Sequence, residues 1–133
     1  MSEQATDSKP RVLMVDDSKV IRMAANKILG KDFDVVVAGD GEEGWKMLLA
    51  DHSIHVVFTD LMMPVLDGLG LLERIRSSDD PGMQNLPVIM VTGADNSDEL
   101  REEALKKGAT DFLQKPFNSI DLQARARAHC NYQ

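Results

Sequence analysis

Several short apolar runs in the sequence end in side chains that could take part in metal or phosphoryl chemistry. These side chains are three carboxylates, a hydroxyl and an ammonium, belonging to Asp16, Asp17, Asp60, Thr92 and Lys115. Carboxylates brought together repel one another and raise each other's pKa unless a cation intervenes. A lysine and a divalent cation would both relieve that repulsion. Oxygen ligands without a nearby histidine or cysteine favour Mg²⁺ or a similar hard ion.

Each of these residues has an ordinary interpretation when it is taken alone. An aspartate at a strand end is more often a helix N-cap than a reactive group, and Asp17 precedes Ser18 and a helical pattern. Thr92 would be unremarkable in a strand, and Lys115 would be unremarkable on a surface. Their joint placement at the ends of different apolar runs is what indicates a functional site.

The elements that must position these side chains are predicted from the hydrophobic pattern. The apolar runs are continuous and mostly β-branched, as is typical of strands in a parallel sheet that is covered on both faces. The predicted strands are Val12–Val15, Val35–Ala38, Val56–Phe58, Val88–Val91 and Phe112–Leu113. The segments between them have helical periodicity: Val20–Leu29, Glu42–Ala50, Asp67–Arg76, Ser97–Lys107 and Asn118–His129. Residues 77–82 are predicted to be a polar loop.

Strict alternation of strands and helices predicts an α/β fold, a doubly wound (βα)5 sandwich. It has a five-stranded parallel sheet, helices on both faces and right-handed crossovers. Open sheets of this kind bind ligands at the carboxyl ends of their strands. The reactive side chains described above fall at that edge.

Composition limits the remaining possibilities. The chain has 133 residues, 43% of them hydrophobic and 28% charged, which suits a single domain with one core. Its formal net charge of −7 argues against direct nucleic-acid binding. No apolar run is long enough to span a membrane, and the single cysteine, Cys130, suits a reducing compartment. We therefore expect a cytoplasmic protein with a disordered tail over residues 1–10 and a folded domain over residues 11–130.

Four motifs carry a resemblance to a known family. They read V-D-D-S at 15–18, T-D-L-M-M-P-V-L-D-G at 59–68, V-T-G-A at 91–94 and Q-K-P-F at 114–117. In this order and spacing the chain resembles the receiver domain of two-component response regulators, with the flavodoxin-like fold of the chemotaxis response regulator. The resemblance implies that Asp60 is the phosphoacceptor and that Lys115 is the site's cation. It also implies that Asp16, Asp17, Asp60 and the main-chain carbonyl of Met62 hold Mg²⁺.

The same resemblance implies partners and a switch. The phosphoryl donor would be a sensor histidine kinase or a phosphotransfer protein. Thr92 and Phe112 would relay the change to a surface formed by the fourth helix, the fifth strand and the fifth helix, where an output domain or a second copy would dock. Residues 131–133 would be the C-terminal end of a stand-alone receiver or the point at which a longer regulator was cut. The resemblance also makes Lys115-Pro116 a candidate for a cis peptide bond.

Two residues depart from the pattern of the family. Phe112 stands where many members have tyrosine, so switching must rely on packing without a hydroxyl. Met62 stands two residues after Asp60, where an amide or an acid is often found, and a thioether cannot orient a water molecule for rapid dephosphorylation.

Two other classes of protein share part of this pattern. An aspartate-nucleophile phosphatase on a related α/β fold would need a second acid two residues after the nucleophile, and Met62 occupies that position. A nucleotide- or flavin-binding module would need glycines after the first strand to approach a phosphate. The sequence there reads D-D-S-K at 16–19, and its carboxylates would repel a phosphate in the absence of a metal.

Overall fold

The fold is organised around one five-stranded parallel sheet. A computed structural model describes residues 9–94 and 96–130, so most of the predicted tail and residues 131–133 lie outside the described residues. The strands follow the order β2-β1-β3-β4-β5 across the sheet, which confirms the doubly wound prediction. Their bounds are Arg11–Val15 (β1), Asp34–Ala38 (β2), Ile54–Asp60 (β3), Val88–Thr92 (β4) and Asp111–Gln114 (β5).

Five helices of nine or more residues connect or follow the strands in the described ranges, and each begins where a polar side chain caps it. They are Lys19–Leu29 (α1), Gly41–Ala50 (α2), Gly68–Arg76 (α3), Asp98–Lys106 (α4) and Ser119–His129 (α5). Their N-caps are Ser18, Asp40, Asp67, Ser97 and Asn118, whose side-chain oxygens accept main-chain N–H bonds from the first turn. The N-cap of α1 is therefore Ser18 and not Asp17.

The prediction of a loop over residues 77–82 is wrong at its end. A short helix, Pro81–Gln84, lies between α3 and β4. Asp80 caps it by accepting a bond from the N–H of Gly82, and Pro81 supplies a backbone angle suited to a first helical turn. The segment is too short for hydrophobic periodicity to reveal it.

Alternate side chains of the strands enter two separate apolar clusters. One lies between the sheet and helices α1 and α5, and it includes Met14 and Phe58. The other lies between the sheet and helices α2, α3 and α4, and it includes Val15 and Met90. Full burial of such side chains contributes about 1.5–3 kcal/mol each to stability. None of the helices in the described ranges is long and apolar enough to span a membrane.

Candidate functional site at the carboxyl edge of the sheet

Strand register brings the predicted site residues together. Strands β1 and β3 are neighbours in which Val15 pairs with Thr59, so Asp16 and Asp60 emerge side by side. Lys115 follows β5, and its main-chain N–H donates to the carbonyl of Thr92 over 2.7 Å. The peptide bond between Lys115 and Pro116, a candidate for the cis form, is cis. Residues from β1, β3 and β5 therefore meet at one edge, as the sequence predicts.

The ammonium of Lys115 lies between two carboxylates. Its Nζ is 3.0 Å from Oδ2 of Asp16 and 3.1 Å from Oδ2 of Asp60. Asp16 is fully buried, and only 13% of the Asp60 side chain is exposed. The contact with Asp16 is an ion pair whose angles fall outside hydrogen-bond geometry, so within the described residues this buried oxygen lacks a hydrogen-bond donor.

The pKa values of Asp60 and Lys115 are both raised, for different reasons. Burial, followed by the negative charge of Asp16, raises the pKa of Asp60, although Lys115 and a main-chain bond from Met62 act in the opposite direction. Burial by itself would lower the pKa of Lys115. The close ion pair with Asp16, followed by the negative charge of Asp60, outweighs that effect, so the pKa of Lys115 is raised. Lys115 is therefore held as an ammonium beside a carboxylate that burial destabilises.

The carboxylates also fit a metal ion. Asp16, Asp17 and Asp60 each offer an oxygen, and these three oxygens lie within 4.8 Å of one another. The donor set contains only oxygen, which is what a hard divalent cation such as Mg²⁺ prefers. Oδ2 of Asp16 accepts no hydrogen bond within the described residues, so a metal ion could share this oxygen with the ammonium of Lys115. Met62 follows in the loop after β3 with 52% of its surface exposed.

Thr92 and Phe112 lie on one face of the sheet. Thr92 ends β4 and is buried, with 2% of its surface exposed. Phe112 pairs in register with Met90, two residues before Thr92, so its side chain faces the same way. It is half-buried against the cluster shared with α2, α3 and α4. The structure thus places the two predicted switch residues on adjacent strands, on the sheet face that α2, α3 and α4 cover.

Sequence reasoning missed one residue at this edge. Arg22 in α1 donates from Nη1 to the main-chain carbonyl of Asp16 over 2.7 Å. A weak signal was available, because a positive charge in the first turns of a helix interacts unfavourably with the helix dipole. The pattern gave no way to identify that partner as a main-chain oxygen at the end of β1.

The fold and the site together define a doubly wound α/β domain with a cluster of three aspartates and one lysine at its carboxyl edge. Residues 12–127 match the model of the response regulator receiver domain. The chain belongs to this family, and it is a receiver domain of two-component signalling systems. No comparison supports the phosphatase alternative.

Curated relatives and solved structures agree with this assignment. Response regulator MprA of Mycolicibacterium vanbaalenii is 38% identical over 119 residues, which are 89% of this chain and 49% of that protein. The probable transcriptional regulator ycf27 of Porphyridium aerugineum is 37% identical over 124 residues, 90% of this chain and 48% of that protein. The chain thus spans about half the length of these relatives. The structure of chemotaxis protein CheY4 of Vibrio cholerae superposes with a TM-score of 0.83 at 28% identity, covering 92% of this chain and 99% of that one.

Proposed function

We propose that Asp60 accepts a phosphoryl group from a histidine kinase or a phosphotransfer protein in a reaction that depends on Mg²⁺. The observation that carries the proposal is the position of Lys115, whose ammonium lies 3.0–3.1 Å from both Asp16 and Asp60. Such a cation can neutralise charge on an incoming phosphoryl group while a carboxylate oxygen attacks it. The cytoplasm is the compartment we propose, since Cys130 is a buried, unpaired thiol.

In this proposal the side chains of the site divide the work of the transfer between them. An oxygen of Asp60 forms the new bond to phosphorus as the bond between phosphorus and the donor's histidine nitrogen breaks. Lys115 stays protonated and interacts with the phosphoryl oxygens. Asp16, Asp17 and Asp60, with the main-chain carbonyl of Met62, would hold Mg²⁺, which supplies charge neutralisation and orientation for the transfer. Met62 presents no side-chain group that could orient water, so we propose slow self-dephosphorylation.

The experiment compares three forms of the chain in acetyl phosphate and Mg²⁺ by intact mass. The wild type should gain one phosphoryl group, and Asp60→Asn should gain none. Asp40→Asn is the matched control, because Asp40 caps α2 at the same edge and asparagine caps a helix equally well. Retention of the adduct by Asp60→Asn would refute the assignment. Continuous release of inorganic phosphate by the wild type would favour a phosphatase.

We further propose that Thr92 and Phe112 carry the signal to the face formed by α4, β5 and α5. The phosphoryl oxygens offer new acceptors to a buried hydroxyl at the end of β4. Inward movement of Thr92 would open space that Phe112, half-buried beside Met90, can enter. An output domain or a second copy of the domain would then recognise the altered face.

The switch is tested in Thr92→Ala. This variant should still accept phosphate on Asp60, because its methyl group leaves Asp16, Asp60 and Lys115 in place. It should fail to transmit the change, so NMR shifts over residues 97–118 should move much less than in the phosphorylated wild type. Full perturbation of that surface in phosphorylated Thr92→Ala would overturn the mechanism.

A further inference from the structure

Arg22 lies against the main chain at the point where β1 ends. It is half-buried in α1, and its Nη1 donates to the main-chain carbonyl of Asp16 over 2.7 Å. A Cβ placed on Gly39 would lie 3.6 Å from the same nitrogen, so the guanidinium packs against the loop that follows β2. Arg22 therefore joins α1, the end of β1 and that loop.

Hydrogen bonds hold the peptide planes on both sides of Asp17. The plane before it contains the carbonyl of Asp16, which accepts from Arg22. The plane after it contains the N–H of Ser18, which donates to Oδ1 of Asp16 over 2.9 Å. Asp16 itself is anchored, since its N–H donates to the carbonyl of Ala38 over 3.1 Å. Because peptide units are planar, fixing both planes fixes the two backbone torsions of Asp17.

We propose that Arg22 is a positioning residue for the metal site, which fixes the backbone of Asp17 so that its exposed carboxylate is already oriented toward Asp16 and Asp60. The inference rests on the proposed function, in which these three aspartates bind Mg²⁺. Ordering one residue's backbone is unfavourable in entropy, and a site that is ordered in advance avoids that loss on binding. Arg22 thus favours binding of a cation although it is itself positively charged.

Charge and positioning predict opposite results, which makes the proposal testable. If Arg22 acted only through its charge, its removal would tighten Mg²⁺ binding, because one repelling cation would be lost. If Arg22 orders Asp17, its removal weakens binding, by about tenfold on the scale of one residue's backbone entropy. Lys19, also in the first turn of α1, is exposed and is the charge-matched control.

The experiment is calorimetric titration of the full chain with Mg²⁺ in the absence of any phosphoryl donor. Arg22→Ala should raise the dissociation constant about tenfold. Arg22→Lys, which retains a donor and the charge, should recover part of the loss. Lys19→Ala should leave binding unchanged or slightly tighter. At saturating Mg²⁺, phosphorylation of Arg22→Ala by acetyl phosphate should proceed near the wild-type rate, whereas general damage to the fold would lower the rate as well.

Several results would overturn the inference. Unchanged or tighter Mg²⁺ binding by Arg22→Ala, with binding still lost in Asp17→Ala, would refute positioning by Arg22 and leave the proposed metal site intact. Mg²⁺ binding that survives Asp17→Ala would refute both. If Arg22→Ala does not fold, Arg22→Met keeps a long stem but has no donor, and Mg²⁺ affinity equal to that of the wild type in this variant would also contradict the proposal.

Discussion

The two ends of the sheet each place one cation between two aspartates, yet the pKa of an aspartate is lowered at one end and raised at the other. At the amino end, Nη1 of Arg11 lies 2.6 Å from Asp51 and Nη2 lies 2.6 Å from Asp34. The hydroxyl of Ser53, followed by Arg11, lowers the pKa of Asp51 to about 2. At the carboxyl end, burial and the charge of Asp16 raise the pKa of Asp60 despite the contact with Lys115.

The difference lies in solvent and in hydrogen bonds. The side chains of Arg11 and Asp34 are 36% and 45% exposed, so water shares in solvating the amino-end charges. Asp16 is completely buried at the other end, and within the described residues its Oδ2 has no hydrogen-bond donor. Because burial without full compensation destabilises a charge, the charged form of Asp60 at the carboxyl end is less stable than that of Asp51 at the amino end. That is expected of a site prepared for a ligand.

The largest effect should come from removing the carboxyl-end cation. Lys115→Met is expected to slow phosphorylation by acetyl phosphate about 100-fold or more, as loss of a preorganised charge-stabilising group typically does. The initial rate of phosphoryl incorporation, measured by intact mass, gives the value.

Lys107→Met is the matched control for that variant. Lys107 also lies between two carboxylates, those of Glu73 and Glu103, but away from the proposed site. Its removal should leave the rate of phosphorylation unchanged. Equal slowing in both variants would show that the effect comes from general loss of an ion pair and not from the site.

A smaller effect should follow from adding the metal. Mg²⁺ binds the folded carboxylate cluster and not the unfolded chain, so at a concentration tenfold above Kd it should add about 1.4 kcal/mol to the free energy of unfolding. Asp17→Ala should remove this gain, and it should itself raise metal-free stability by relieving repulsion between like charges. Asp34→Ala, at the amino end, should keep the full response to Mg²⁺. Thermal unfolding with and without Mg²⁺ measures both, and a full Mg²⁺ response in Asp17→Ala would contradict the assignment.

The sequence was sufficient to predict the strands and the edge at which Asp16, Asp60 and Lys115 meet. Continuous apolar runs identify buried parallel strands, and parallel strands share one carboxyl edge, so the topology follows from local pattern. The double contact of Lys115 could not be predicted in the same way, because it depends on side-chain reach across β1 and β3. The bond from Arg22 to a main-chain oxygen was equally invisible, since every residue offers such an oxygen.

Sequence reasoning also left the amino-end charges unassigned. Arg11, Asp34 and Asp51 belong to three separate elements and carry no motif. Only the register of β1 with β2 and the end of α2 bring them together. Tertiary ion pairs between residues that belong to no sequence motif are therefore seen only in the three-dimensional structure.

The smallest effect is a difference in pH dependence between the two ends. The pKa of Asp51 is about 2 in the folded protein against an ordinary 3.8, so its stabilising contribution is complete above about pH 4 and is lost as the pH falls toward 2. Asp51→Asn should therefore lower the free energy of unfolding by about 1 kcal/mol at neutral pH, after allowance for solvent screening, and by almost nothing near pH 2.

The pH dependence expected from Asp60 has the opposite sign, because its raised pKa favours the protonated form in the folded state. The wild type should lose stability as the pH rises through that pKa, so Asp60→Asn should gain on the wild type at neutral pH and lose this advantage in acid. Urea unfolding across a pH series measures both differences. If the two curves had the same sign, the contrast between the ends of the sheet would be wrong.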